Sequence, residues 1–177
     1  RVTGYVQGWV IDAFNPMAFY PIPVAEKIAG SSIDNDSVPD IEIAINSSKE
    51  WYFKTDGNTP VTKHDLVTSV LHELCHGLGF DSSFYVYDSK GNYGDTASIP
   101  EIFDTFIENL SQENLTDTTL FKHNSSKLGQ ELVGGQLYFN GPLTHRYSAG
   151  SRARLYSPHI WDQGSSVLHL DESSTPE

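Results

Sequence analysis

Between residues 62 and 80 the apolar positions fall three and four apart: Leu66, Val67, Val70, Leu71, Leu74 and Leu78. That spacing is one face of an α-helix. Thr62 precedes the stripe with Asp65 three residues on, a capping-box-like start. Gly77 and Gly79 are stop signals. A helix is therefore predicted from Lys63 to Leu78. Upstream, Tyr5 to Val10 alternates like a strand, and Ile41, Ile43 and Ile45 alternate with Glu42, Ala44 and Asn46 as an amphipathic strand should. Pro23 to Ala29 suits a short helix with proline in its first turn. Asp34 to Asp40 is acidic and turn-like. Trp51-Tyr52-Phe53, a turn at Asp56 to Pro60, and then the helix make a strand-turn-helix order that fits a sheet packed on that helix.

Downstream the pattern is looser. Ile99 to Leu110 reads as a helix, with Ile102, Phe103, Phe106, Ile107 and Leu110 on its apolar side. Ser111 to Lys127 is polar and reads as a surface excursion. Leu137-Tyr138-Phe139 before Asn140-Gly141-Pro142 reads as a strand ending in a turn. Asp88, Asn92 and Asp95, with Gly91 and Gly94, offer oxygens that could line a Ca2+ loop, but the spacing is not that of an EF-hand and a solvated acidic turn is the simpler reading. The elements sum to an α+β chain. Its 177 residues suit a single domain, with an upper part at about 1–80 and a lower part at about 81–177.

The helix carries His72-Glu73-Leu74-Cys75-His76, an H-E-x-x-H motif. Residues i and i+4 share a helix face, so His72 and His76 can grip one metal ion from the same side. Glu73 is placed to act on water bound by that metal, whose pKa falls from about 16 to about 7. These residue types at this spacing point to a zinc hydrolase. Two imidazoles beside an apolar stripe would be costly to leave unpartnered, and a metal removes that cost.

Catalytic zinc takes three protein ligands and keeps one position open. Three residues after Gly79, where the astacin and matrixin pattern has histidine, stands Ser82. Asp81 is one position early. His123 lies in the polar excursion, His145 and His159 flank turns, and Glu101 and Asp104 lie on the next predicted helix, where a thermolysin-like enzyme places its third ligand. His169 ranks first. Small residues lead into it through Gly164-Ser165-Ser166, apolar Val167, Leu168 and Leu170 flank it, and Asp171 and Glu172 could hold its ring.

A net charge of −12 and a pI near 4.8 argue against nucleic acid and anionic membrane as partners. No apolar run approaches the roughly 20 residues of a membrane span. Cys75 is the one cysteine, so no disulfide framework is available, and it reads as a small buried residue. Sequons start at Asn35, Asn46, Asn109, Asn114 and Asn124. They suit a glycosylated, secreted extracellular protein. The chain opens at Arg1 in what reads as mid-domain sequence, as expected of the catalytic part of a longer secreted precursor.

His72-Glu73-Leu74-Cys75-His76-Gly77-Leu78-Gly79-Phe80 resembles the H-E-x-x-H-x-x-G-F stretch of metzincin-clan zinc peptidases. The absent near histidine, with a late one in Ser166-Val167-Leu168-His169-Leu170-Asp171-Glu172, resembles their leishmanolysin-like branch. The resemblance extends from about Asp40 to Glu172, and only these two motifs are specific. It implies Zn2+ on His72, His76 and His169, Glu73 as base, and a small twisted sheet and active-site helix above an irregular lower lobe with a cleft between. Substrate would lie extended along the Ile41–Ile45 strand, and Tyr156 could donate to the oxyanion. Cys75 replaces a glycine usual in the closest relatives. The methionine turn of that clan is absent, the one methionine being Met17. The resemblance thus implies a chain truncated at its C-terminal side and partnered by the rest of its own precursor. The expected function is a secreted zinc metalloendopeptidase acting on protein or peptide. The alternatives are a non-catalytic adhesion scaffold with a structural zinc, which retention of Glu73 disfavours, and a metal-dependent hydrolase of a non-peptide bond.

Overall fold

The longest helix of the chain is the one that the hydrophobic stripe predicts, and it begins where a strand ends. A computed structural model describes residues 2–6, 9–11, 17–33, 37–94 and 98–174. In chain order the elements are β1 (Val2–Val6), β2 (Trp9–Ile11), β3 (Phe19–Pro21), α1 (Ile22–Ala29), β4 (Ile41–Ile45), β5 (Trp51–Tyr52), β6 (His64–Asp65), α2 (Leu66–Gly77), β7 (Tyr85–Tyr87), β8 (Lys90–Asn92), β9 (Ile107–Asn109), α3 (Ser126–Leu132), β10 (Leu137–Phe139), α4 (Pro142–Tyr147) and β11 (Ala153–Leu155). Single 3-10 turns lie at Phe103–Phe106 and Glu172–Ser174. The architecture is mixed, with small sheets and four helices among the described residues. None of these helices is long and apolar enough to cross a membrane. The chain divides into two compact units, Arg1–Asp12 with Tyr20–Phe80, and Ala13–Phe19 with Asp81–Glu177.

In the first unit β1 and β4 pair antiparallel, from Val2 opposite Ile45 to Val6 opposite Ile41. The strand predicted from Tyr5 to Val10 is instead the end of β1 and the start of β2; residues 7 and 8 lie outside the described ones. α2 packs on both β1 and β4. Gly77, the last residue of α2, permits the approach: a Cβ there would stand 2.8 Å from the Ile41 side chain. α2 starts three residues later than predicted because β6 pairs in parallel with β5, Trp51 opposite His64 and Tyr52 opposite Asp65, which holds residues 64–65 extended. Asp65, not Thr62, is the N-cap. Its Oδ1 accepts from the Thr68 amide at 2.7 Å and its Oδ2 from the Thr59 hydroxyl at 2.6 Å. α1 follows the predicted pattern, with prolines at its start and Gly30 in the left-handed region (φ +72) at its end.

The second unit is built on a three-stranded antiparallel sheet in the order β11-β10-β9. Its interior is Phe103, Ile107, Leu115, Phe121, Leu128, Leu132, Leu137, Leu155 and Val167, all buried, with the Phe103 and Phe139 rings stacked 4.7 Å apart. The helix expected from Ile99 to Leu110 is not formed. A 3-10 turn gives way to β9, whose Ile107–Asn109 pair with Leu137–Phe139. An apolar run of this length is ambiguous between helix and buried strand, and here the ladder with β10 decides. The Asp104 carboxylate also accepts from the Glu101 amide at 2.9 Å, a local bond that favours the tight turn. The polar stretch from Ser111 to Lys127 hides two anchors, since Leu115 and Phe121 are fully buried.

The segment read as an acidic turn, with oxygens that could line a Ca2+ loop, is a hairpin. Asp88 and Ser89 both take positive φ (49 and 60) between β7 and β8, as a primed two-residue turn demands. Asn92 is buried and donates Nδ2 to the Lys90 carbonyl at 3.0 Å, and Asp95 lies outside the described residues.

α3 docks on β8 at two glycines. A Cβ on Gly91 would meet the Gly129 amide nitrogen and the Leu128 carbonyl carbon at 2.6 Å, and the Gly91 amide donates to the Ser125 carbonyl at 2.9 Å. Backbone cannot yield as a flexible side chain can. Gly91→Ala should therefore cost about 1–3 kcal/mol, read as a lower denaturant midpoint at unchanged slope. An unchanged midpoint would mean that the two backbones are not in contact.

Candidate metal centre

α2 ends in a way that prepares one of its histidines. With Leu78 as C-cap, Gly79 takes φ +97, a conformation that a side chain resists. The Phe80 amide then donates to the Cys75 carbonyl and the Gly79 amide to the His76 carbonyl, both at 2.9 Å. These are the paired bonds of a Schellman motif. The reversal brings the Phe80 carbonyl onto the ring of His76, whose Nδ1–H donates to it at 2.7 Å. A carbonyl only accepts, so the proton sits on Nδ1 and the lone pair on Nε2 is available to a metal. The Nε2 atoms of His76 and His72 are 3.2 Å apart, with the rings at 85°. Glu73, half-buried, follows His72 directly on the helix.

His169 is prepared in the same way in the second unit. The loop from Asp162 to Leu170 is held by backbone bonds: the Ser165 and Ser166 amides donate to the Asp162 carbonyl, the Val167 amide to the Tyr156 carbonyl, and the Tyr156 amide to the His169 carbonyl at 2.8 Å. Val167, buried, takes φ +71 to make the bend. The ring Nδ1–H of His169 donates to the Ser165 carbonyl at 3.0 Å, again leaving Nε2 as the ligand atom. Asp171, two residues on, pairs with Arg154 Nε at 3.1 Å. Tyr156 serves this loop through its main chain.

One ligand atom from each of His72, His76 and His169 lies within 4.8 Å of the other two. This is the one such group of three histidine, cysteine or acidic residues among the described residues. The other candidates stand elsewhere. His145 and His159 are exposed, and His123 packs its ring edge-on to Tyr93. Asp81 Oδ1 accepts from the Ser82 amide at 2.8 Å. Cys75, expected to be buried, is exposed. It lies on the face of α2 that also bears exposed Leu71 and Leu78, away from the side that Gly77 presses on Ile41. The residues that sequence reasoning missed are those acting through carbonyls, Phe80 and Ser165. A carbonyl leaves no mark on residue type, and the only signal is the Gly79-Phe80 pair.

The family model described as SPBPB7E8-like matches residues 11–141. The chain belongs to the SPBPB7E8-like family. The stretch that the family shares includes His72, Glu73 and His76 and stops short of His169. No curated protein and no solved structure gives a significant match.

Two carboxylates in the same family stretch, Glu101 and Asp104, were candidate ligands. Asp104 is fully buried and committed to the protein. It accepts from the Ser82 hydroxyl and the Ser83 hydroxyl at 2.5 Å each, the Ser83 amide at 3.2 Å and the Glu101 amide. Burial pushes its pKa up to about 6 against the pull of those donors. Burial, then the charges of Asp104 and Asp81, push Glu101 up to about 9. Each folded pKa lies above its unfolded value, so the folded chain holds these protons more tightly. The stability this gives is whole below the unfolded pKa and is withdrawn as pH rises through the window up to the folded one. For Glu101 that window runs from 4.5 to about 9. Glu101→Gln should therefore flatten the loss of stability between about pH 5 and about pH 8 seen in the parent chain. Equal slopes for the two in urea titrations across that range would refute a protonated Glu101.

Proposed function

We propose that this chain is a secreted zinc-dependent endopeptidase of the metzincin kind, with the ion on His72, His76 and His169 and Glu73 as general base. The single observation that carries the reading is the grouping of three imidazoles, two of them with Nδ1–H tied to a carbonyl so that Nε2 faces a ligand. The donor set fits zinc. Two nitrogens about 2.0–2.1 Å from a tetrahedral ion stand about 3.3 Å apart, and the Nε2 atoms of His72 and His76 are separated by 3.2 Å. Three neutral nitrogens leave a fourth position open, as catalysis needs and a structural site does not.

When bound, zinc would supply Lewis acidity to the scissile carbonyl and to the attacking water. The remaining work falls to the chain. Glu73 takes the proton from the water and delivers it to the departing amine. β4 lies at the edge of its two-stranded sheet and against α2, so an extended peptide could add to it by main-chain hydrogen bonds. The exposed sequons support an extracellular address.

Glu73→Gln should keep its zinc and lose about 10²–10⁴ in cleavage rate on a generic protein substrate. His169→Ala should lose most of its zinc, measured by metal analysis after gel filtration; an unchanged stoichiometry would remove His169 from the ligand set. Undiminished cleavage by the Glu73 variant would end the catalytic reading while leaving the metal site standing. Gly79→Ala, which strains the turn that presents the Phe80 carbonyl, should weaken zinc affinity about 10–100-fold with both helix histidines intact, read by competition with a chromogenic chelator.

A further inference from the structure

The sequons are alike in sequence and unlike in structure. Asn46 follows β4 and is exposed. Its Oδ1 accepts from the Ser48 amide at 2.9 Å and the Ser48 hydroxyl at 2.6 Å, an Asx turn that draws the hydroxyl to the carbonyl oxygen, and among the described residues none accepts from its Nδ2. Asn124, at φ +54 just ahead of α3, is also exposed. Asn114 makes the same turn with Thr116, at 2.8 and 2.6 Å, but is half-buried and donates its Nδ2 to the Thr105 carbonyl at 2.5 Å. Asn109 is 5% exposed, with Nδ2 on the Glu113 carboxylate at 2.8 Å and Oδ1 on the Glu113 amide. A sugar on either of these nitrogens would displace a hydrogen bond and force a large polar group into a packed region. Asn35 lies outside the described residues.

We propose that Asn46 and Asn124 carry N-linked glycans and that Asn109 and Asn114 do not, an inference that rests on the extracellular reading. The co-reactant is a lipid-diphosphate-linked oligosaccharide. Asparagine Nδ2 bonds to its anomeric carbon, the bond from that carbon to the diphosphate oxygen breaks, and the amide proton leaves on the lipid diphosphate.

The test is expression of the full chain behind a supplied signal peptide in a eukaryotic cell. Glycans are then released enzymatically in heavy-oxygen water and converted asparagines are mapped by mass spectrometry. Heavy aspartate at positions 46 and 124, with unlabelled asparagine at 109 and 114, is the expected result. Ser48→Ala should remove the glycan at Asn46 alone and sharpen the band by one glycan, whereas Asn114→Gln should leave the mobility unchanged. Unmodified Asn46 or Asn124, or a glycan on Asn109 or Asn114 in the folded secreted chain, overturns the proposal. Because the signal is supplied, the result reads the sequons rather than the native address, and zinc measured on the same material reads the metal site separately.

Discussion

The hydrogen bond from His76 Nδ1–H to the Phe80 carbonyl is the interaction on which the candidate centre depends. It places the proton on one side of the ring and the lone pair on the other, beside the equivalent atom of His72 one turn back. It exists because the chain reverses at Gly79, whose φ of +97 is open to glycine and strained for other residues. Helix periodicity alone would put two histidines on one face. The turn selects which nitrogen His76 presents.

The same device recurs at His169 with different materials. There no helix supplies the geometry. Main-chain bonds between Tyr156 and residues 167–169, and a bend at Val167, hold a loop in which the Ser165 carbonyl takes the ring proton. Strain at a bulky residue with positive φ persists only where the surroundings over-determine it, and here Val167 is fully buried. Both imidazoles are thus oriented by backbone oxygens, which neither titrate nor rotate away. Asp104 plays a comparable role after α2. It is buried on four donors that tie residues 82–83 to residue 101, and that commitment is why it is not free to act as a ligand.

What could be read directly was local. The stripe of α2, the alternation of Ile41 to Ile45 and the prolines of α1 each announce an element through neighbours a few residues away. The errors have a common cause. Ile99 to Leu110 carries an apolar pattern open to two conformations, and the partner that chose strand for residues 107–109 lies about thirty residues on, in β10. Leu115 and Phe121 vanished into a polar average although each fills the interior of its unit. The helix start was misplaced because the pairing of His64–Asp65 with Trp51–Tyr52 has no signature in the residues themselves.

By itself the sequence determined which residues could bind a metal and which could act as base, because H-E-x-x-H needs only the pitch of a helix to converge. It could rank His169 first from its flanks, but not bring it within 4.8 Å of the other two ring nitrogens. Spacing along the chain does not set that distance. The ring protons of His76 and His169 are held by carbonyls four residues away. Tertiary structure decided the fate of Glu101 and Asp104 and which sequons face water, because burial is set by groups distant in sequence and no periodicity encodes it.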